Sequence, residues 1–206
     1  MKTMSAKPIM TALAMAALLA GCKSSGPEMA ANQVDGTIHL CSSCHGITGR
    51  SVSPEFPILA AQQADYIAEQ LHSFRDHSRA DPHAHTYMWG MAARLSDATI
   101  SGVAKYFSEQ APVAGRPADA VSLAIAAPIF KDGIEARDVP ACAACHGDGA
   151  LGQGSIPRLA GQHADYLAEQ LGEFRTNVRS NETMHQNALN LTEPEIRALA
   201  IYLASL

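Results

Sequence analysis

"CSSCHG" (residues 41–46) and "CAACHG" (residues 142–147) are two copies of one pattern: a pair of cysteines three apart, then histidine, then glycine. Cys-x-x-Cys-His is the attachment signature of c-type haem. Thiols at that spacing reach the two vinyl groups of one porphyrin and form thioethers. The imidazole that follows lies under the iron as its proximal ligand. The assignment is Cys41, Cys44 and His45 for one haem, and Cys142, Cys145 and His146 for the other. A thioredoxin-type disulfide opens a helix after a strand, and no strand pattern precedes either copy. Zinc ribbons space their cysteine pairs by roughly 15–20 residues, whereas these pairs lie a domain apart.

The text around the motifs repeats too. "PILAAQQADYIAEQLHSFR" (57–75) aligns with "PRLAGQHADYLAEQLGEFR" (157–175), and "MWGMAARLSDATI" (88–100) with "MHQNALNLTEPEI" (184–196). The order is the same in both halves, so the chain is a duplicated domain rather than a short-period solenoid. Residues 33–109 form the first copy and 121–206 the second. The Pro-, Gly- and Ala-rich stretch 110–120 is the linker between them.

Each copy reads as mainly helical, an all-α fold with a small bundle around one covalently bound haem. Ile67, Leu71 and Phe74 share a helical face, as do Leu167, Leu171 and Phe174. The last helices start at Ser96 and Thr192, and Thr192 with Glu195 makes a capping box. Ile100, Val103, Ala104 and Phe107 then form one core stripe, and Ile196, Leu199, Ala200 and Leu203 the other. No segment alternates as a strand. Aromatic residues are only 5% of the chain, which leaves thin cores for something else to fill. The net charge of −5 is mild, and no basic run interleaves with aromatics, so nothing points to nucleic acid and none is expected as a partner.

Of five cysteines, Cys22 alone stands outside the pairs. It follows Lys2, Lys7 and the apolar run "IMTALAMAALLA" (9–20), the length of a secretory h-region and short of the roughly 20 residues of a membrane span. Leu19-Ala20-Gly21-Cys22 resembles the lipobox of bacterial lipoproteins. That resemblance implies a signal peptide over 1–21, a lipid on Cys22 and an anchor to a membrane face, with 22–32 as a flexible tether. The competing reading is an ordinary signal peptide with an incidental cysteine.

On these motifs, with "FPILAAQQADYIAEQL" and "IPRLAGQHADYLAEQL", the chain resembles the dihaem cytochrome c4 family, built of two class I cytochrome c domains. The resemblance covers about residues 33–206. It implies a methionine as sixth iron ligand, seven residues before the Leu-Ser or Leu-Thr that starts the last helix. Met88 and Met184 hold that place. Met184 is the only methionine of the second copy, whereas Met91 and His85 compete with Met88. The resemblance also implies that Pro57 and Pro157 offer their carbonyls to the proximal imidazoles, and that haem propionates meet at a pseudo-twofold domain interface. In the second copy Ala126 stands where relatives often carry glycine at a helix crossing. The first copy departs from the pattern in "RDHSRADPHAHTYM" (75–88), four residues longer than its counterpart, where His77, His83 and His85 read as a solvated loop rather than a metal site.

His/Met ligation fills both axial positions, so the implied function is one-electron transfer. Relatives imply donors such as quinol–cytochrome c reductase or a periplasmic dehydrogenase, and a terminal oxidase as acceptor, on the periplasmic side of a bacterial membrane. A second reading makes the chain the electron-accepting subunit of a sulfide or thiosulfate dehydrogenase. A third, an enzyme in its own right, requires an open axial position that neither copy offers.

Overall fold

The structure, a computed structural model, describes Thr3 and residues 26–206. Cys22 and the apolar leader lie outside the described residues. Among the described residues no helix is long and apolar enough to cross a membrane.

In the first half, α1 (Gly26–His45) runs into the first haem motif, followed by α2 (Ala64–Arg75), a π-helical turn (Ala84–Met88), α3 (Trp89–Ala92) and α4 (Asp97–Ser108). The second half holds α5 (Ala120–Asp132), a 3-10 turn (Glu135–Arg137), α6 (Ala143–His146), α7 (Ala164–Arg175), α8 (Glu182–Ala188) and α9 (Glu193–Ser205). Among the described residues there is no strand, only two isolated bridges, Ile134–Val139 and Gln153–Ile156.

Each half closes on its own core. Ile67, Leu71 and Phe74 of α2 meet Ile100, Val103 and Phe107 of α4, with Ile38 of α1 added. In the second core Leu167 and Phe174 of α7 meet Ile196, Leu199 and Leu203 of α9, with Ile129 and Phe130 of α5. Leu171 sits at the edge, partly buried. The helix starts follow from the caps. Ser96 Oγ accepts the Thr99 N–H at 3.1 Å, and the Glu195 carboxylate accepts from the N–H and the hydroxyl of Thr192, both at 2.8 Å. Ala126 is fully buried between α5 and α9, so alanine is small enough for that crossing.

Two expectations need correction. Residues 26–32 of the expected tether are the first turns of α1, because no proline or glycine interrupts a run of helix formers from Glu28 to Gln33. The long segment before Met88 is not a solvated loop. Asp81 is fully buried and its Oδ1 caps the Ala84 N–H at 3.2 Å, and the extra residues wind into the π turn above a buried Ala84. His77 stacks on Trp89 with ring centroids 4.0 Å apart, and His85 meets the same indole edge-on at 4.7 Å.

Residues 111–119 have no regular structure and lie along the end of α9, where the Arg116 N–H donates to Ala204 O at 2.9 Å.

Candidate haem sites

Cys41, Cys44 and His45 occupy the last turn of α1. Positions i, i+3 and i+4 share one helical face, so both thiols and the imidazole point to the same side. Cys142, Cys145 and His146 repeat this on and just before α6. In both halves the first cysteine is partly buried and the second exposed, and neither pair is joined as a disulfide.

Each histidine is 7% exposed. His45 Nδ1 lies 2.8 Å from Pro57 O, and His146 Nδ1 lies 3.0 Å from Pro157 O. A carbonyl only accepts, so each Nδ1 carries the proton and each Nε2 keeps its lone pair. Burial pushes both imidazoles below their usual range, against a smaller raising effect of the proline carbonyl. The rings are therefore neutral, oriented, and have one nitrogen free to coordinate. Burial also pushes the Cys41 thiol up, and the Cys142 thiol up to about 11. These are not activated thiolates of the redox-disulfide kind.

Met88 ends the π turn and packs, partly buried, against the first core. Met184 does the same against the second core from α8, its N–H held by Asn181 Oδ1 at 2.9 Å. The competitors are more exposed: Met91 is 39% exposed, and His85 is exposed with its ring edge-on to Trp89.

A seam between the halves forms a second cluster, which the sequence reading missed. Gln62 Nε2 donates to Arg158 O at 2.9 Å while its Oε1 accepts the Arg158 N–H at 2.8 Å. Gln162 does the same with Ile58, at 2.9 and 2.8 Å. Arg79 and Arg179 each bond both Gln70 and Gln170, at 2.5 to 2.9 Å. Each guanidinium also lies over a phenylalanine of its own half, Phe74 at 4.7 Å and Phe174 at 4.6 Å. Every partner differs by one hundred in number, which makes the seam pseudo-twofold. The available signal was the identity of these polar residues in both copies.

The cytochrome c family model matches this chain twice, over residues 37–110 and 130–206. Cytochrome c4 of Pseudomonas aeruginosa is 34% identical over 194 residues, covering 91% of this chain and 93% of its own. The thiosulfate dehydrogenase electron acceptor of Thiomonas intermedia is 35% identical over 173 residues, 80% of this chain and 77% of its own. The solved structure of Acidithiobacillus ferrooxidans cytochrome c4 superposes with a TM-score of 0.76 at 39% identity, covering 81% of this chain and 98% of that one.

The donor sets fit haem c in both halves: two unpaired thiols on one helical face beside a neutral imidazole with a free Nε2. Two matched sites on two helical domains, together with the double family match and the close relatives, make this chain a member of the cytochrome c family, carrying two covalently bound haem c groups.

Proposed function

We propose that the chain is a one-electron carrier of the cytochrome c4 kind, tethered through a lipid on Cys22 to the periplasmic face of a bacterial membrane. It accepts electrons from quinol–cytochrome c reductase or a periplasmic dehydrogenase and passes them to a terminal oxidase. The observation that supports it most is the pairing, in each half, of a neutral buried histidine with a core-packed methionine. His45 and Met88 would ligate the iron of one haem, and His146 and Met184 that of the other. The bound haems supply the Fe(II)/Fe(III) chemistry.

The chain's own residues do the rest. Pro57 and Pro157 hold the imidazole planes through Nδ1, which fixes the tautomer and the ligand's basicity. With two side-chain ligands on each iron, no position would remain for substrate or oxygen. The seam holds the halves in one arrangement, so an electron can pass between them.

The test is Met88→Ala and Met184→Ala. Each should remove half of the ferric iron–thioether absorbance band, and lower one midpoint potential by on the order of 100 mV, within the roughly 0.8 V that axial ligands span. An unchanged band in either variant would reassign that methionine to the core. Replacing residues 1–22 by an ordinary cleavable signal should release a red, soluble protein, whereas the native leader should keep it with membranes. Native protein recovered soluble with a free thiol at Cys22 would end the lipoprotein reading.

The second reading, an electron-accepting subunit of a thiosulfate dehydrogenase, is favoured by the Thiomonas intermedia relative. Stable co-purification with a catalytic subunit would select it over a mobile carrier.

A further inference from the structure

The residues that follow the two methionines differ between the halves, yet both reach for the main chain. Trp89 follows Met88, and His185 follows Met184. Trp89 Nε1 donates to Arg79 O at 2.8 Å, ten residues upstream. His185 Nδ1 lies 2.8 Å from Phe174 O, eleven residues upstream. A carbonyl only accepts, so this Nδ1 carries the proton. In both halves a ring N–H beside the methionine is thus tied to a backbone carbonyl of the same half.

The acceptors are themselves held. The Arg79 N–H donates to Ser73 O at 3.1 Å, and its guanidinium bonds Asp81, Gln70 and Gln170. Gln170 donates in turn to Glu173 Oε2 at 2.8 Å. Phe174 sits in the last turn of α7 with the Arg179 guanidinium over its ring. The methionine turns are capped in parallel ways. Asp81 Oδ1 accepts the Ala84 N–H at 3.2 Å, and Asn181, at the matching place, accepts the Met184 N–H at 2.9 Å. The main-chain N–H of Trp89 donates to Ala84 O and so closes the π turn that carries Met88. Its indole is gripped on two sides as well, by the stacked ring of His77 and the edge-on contact of His85. The second half has Asn177 in place of His77.

We propose that Trp89 and His185 are the positioning residues of the two methionine ligands. Each anchors the turn that presents a thioether and so keeps that sulfur in place against a competing ligand. His77 and His85 clamp the first anchor, which gives the histidine-rich segment before Met88 its use. The proposal rests on the reading of Met88 and Met184 as axial ligands.

The experiment takes the full-length ferric dihaem protein. Free imidazole is added, and the loss of the iron–thioether band is followed in time, each haem contributing half of it. Trp89→Phe keeps an aromatic ring against the two histidines but removes the donor. His185→Phe removes the donor of the second half, and His185→Asn restores one, because its amide can donate from near the place of Nδ1. All three should keep two covalent haems, since the motif residues are unchanged. Trp89→Phe and His185→Phe should each speed one half of the loss several-fold, up to about tenfold, as loss of one partly buried hydrogen bond allows. His185→Asn should return the second half to near the wild-type rate. A purely structural role would lower the denaturation midpoint and leave both rates unchanged, which would overturn the proposal and spare the ligand reading. A wild-type protein without the thioether band would remove the ligand reading, and this proposal with it.

Discussion

The two halves arrive at the same histidine–proline geometry by different routes. In the first, α1 is one helix of 20 residues that carries both the packing face and the haem motif. In the second, α5 stops at Gly133, whose φ of +77° suits glycine, and where a Cβ would sit 2.3 Å from Val139 O. The Ile134–Val139 bridge and a 3-10 turn follow, and only then the short α6. Arg137 from this inserted loop pairs with Glu195 of α9, and the first half has Thr99 at the matching place. The haem motif needs only its own helical turn and a proline carbonyl eleven or twelve residues on. How that turn is tied to the core is free to vary.

The strongest way to break the comparison is to delete one motif. Cys142→Ala with Cys145→Ala should leave a protein with a single covalent haem, whose potential and spectrum are those of the first half. Loss of both haems would mean that the two sites do not assemble independently.

The next effect concerns the anchoring helices. α5 buries Ala126, Ile129 and Phe130, while Ile38 is the buried apolar residue of α1 among those described. Phe130 is fully buried against Tyr202, with ring centroids 5.6 Å apart. Phe130→Ala should cost the second half about 3–5 kcal/mol, and Ile38→Val the first only about 0.5–1.5 kcal/mol. Chemical denaturation followed by haem absorbance measures both. Equal losses would show that α1 is tied as firmly as α5.

The seam sharpens the comparison at the level of single hydrogen bonds. Gln62 and Gln162 each satisfy a backbone N–H and a C=O of the other half. Gln162→Ala should strand two buried backbone groups of Ile58 and cost about 1–3 kcal/mol, and Gln62→Ala, which strands two part-buried groups of Arg158, should fall toward the lower end of that range. A larger loss in Gln62→Ala would mean that the more exposed side of the pseudo-twofold carries the docking.

These contrasts mark what the sequence reveals and what it hides. The motifs, the duplicated order and the stripes of α2, α4 and α9 were legible because each depends on neighbours a few residues away. The Pro57 and Pro157 carbonyls were legible by resemblance, since their distance in sequence from the histidines is short and fixed. The seam was not: periodicity says that Gln70 and Gln170 lie on helices but cannot say that they face each other. The π turn was hidden for the same reason. Asp81, Pro82 and three nearby histidines look like a polar loop until Asp81 is seen buried against Arg79. The break at Gly133 lay in the open as a glycine, but nothing local distinguished it from the glycines of α1.

The smallest expected effect tests the remaining break in the seam's symmetry. Where the first half has Gln63, whose amide donates to Leu151 O at 2.9 Å, the second has His163, which is 2% exposed. Its Nε2 lies 2.8 Å from Ser51 Oγ. The single hydroxyl proton of Ser51 is already given to Phe56 O at 2.5 Å. Ser51 therefore accepts, and His163 is the neutral tautomer with its proton on Nε2. Burial, and then the positive charge of Arg116, hold the imidazole below its usual range, against smaller raising effects of Ser51 and Asp165. An unfolded chain protonates a histidine near pH 6.5, where the folded one still resists. The contribution of His163 to stability is thus complete above that pH and is lost as pH falls through the folded value. Glu173 works the other way: its raised carboxyl contributes most below the ordinary carboxylate range, and that contribution is lost as pH rises toward about 7. The two slopes overlap and oppose, so the stability of wild type alone hides them. The difference between His163→Gln and wild type separates them, because glutamine can still donate to Ser51 but does not titrate. That difference should move in favour of the variant as pH falls below about 6.5, and should be constant above it. A difference independent of pH would show that His163 is a structural donor only, and that the seam's pH response belongs to its carboxyl groups.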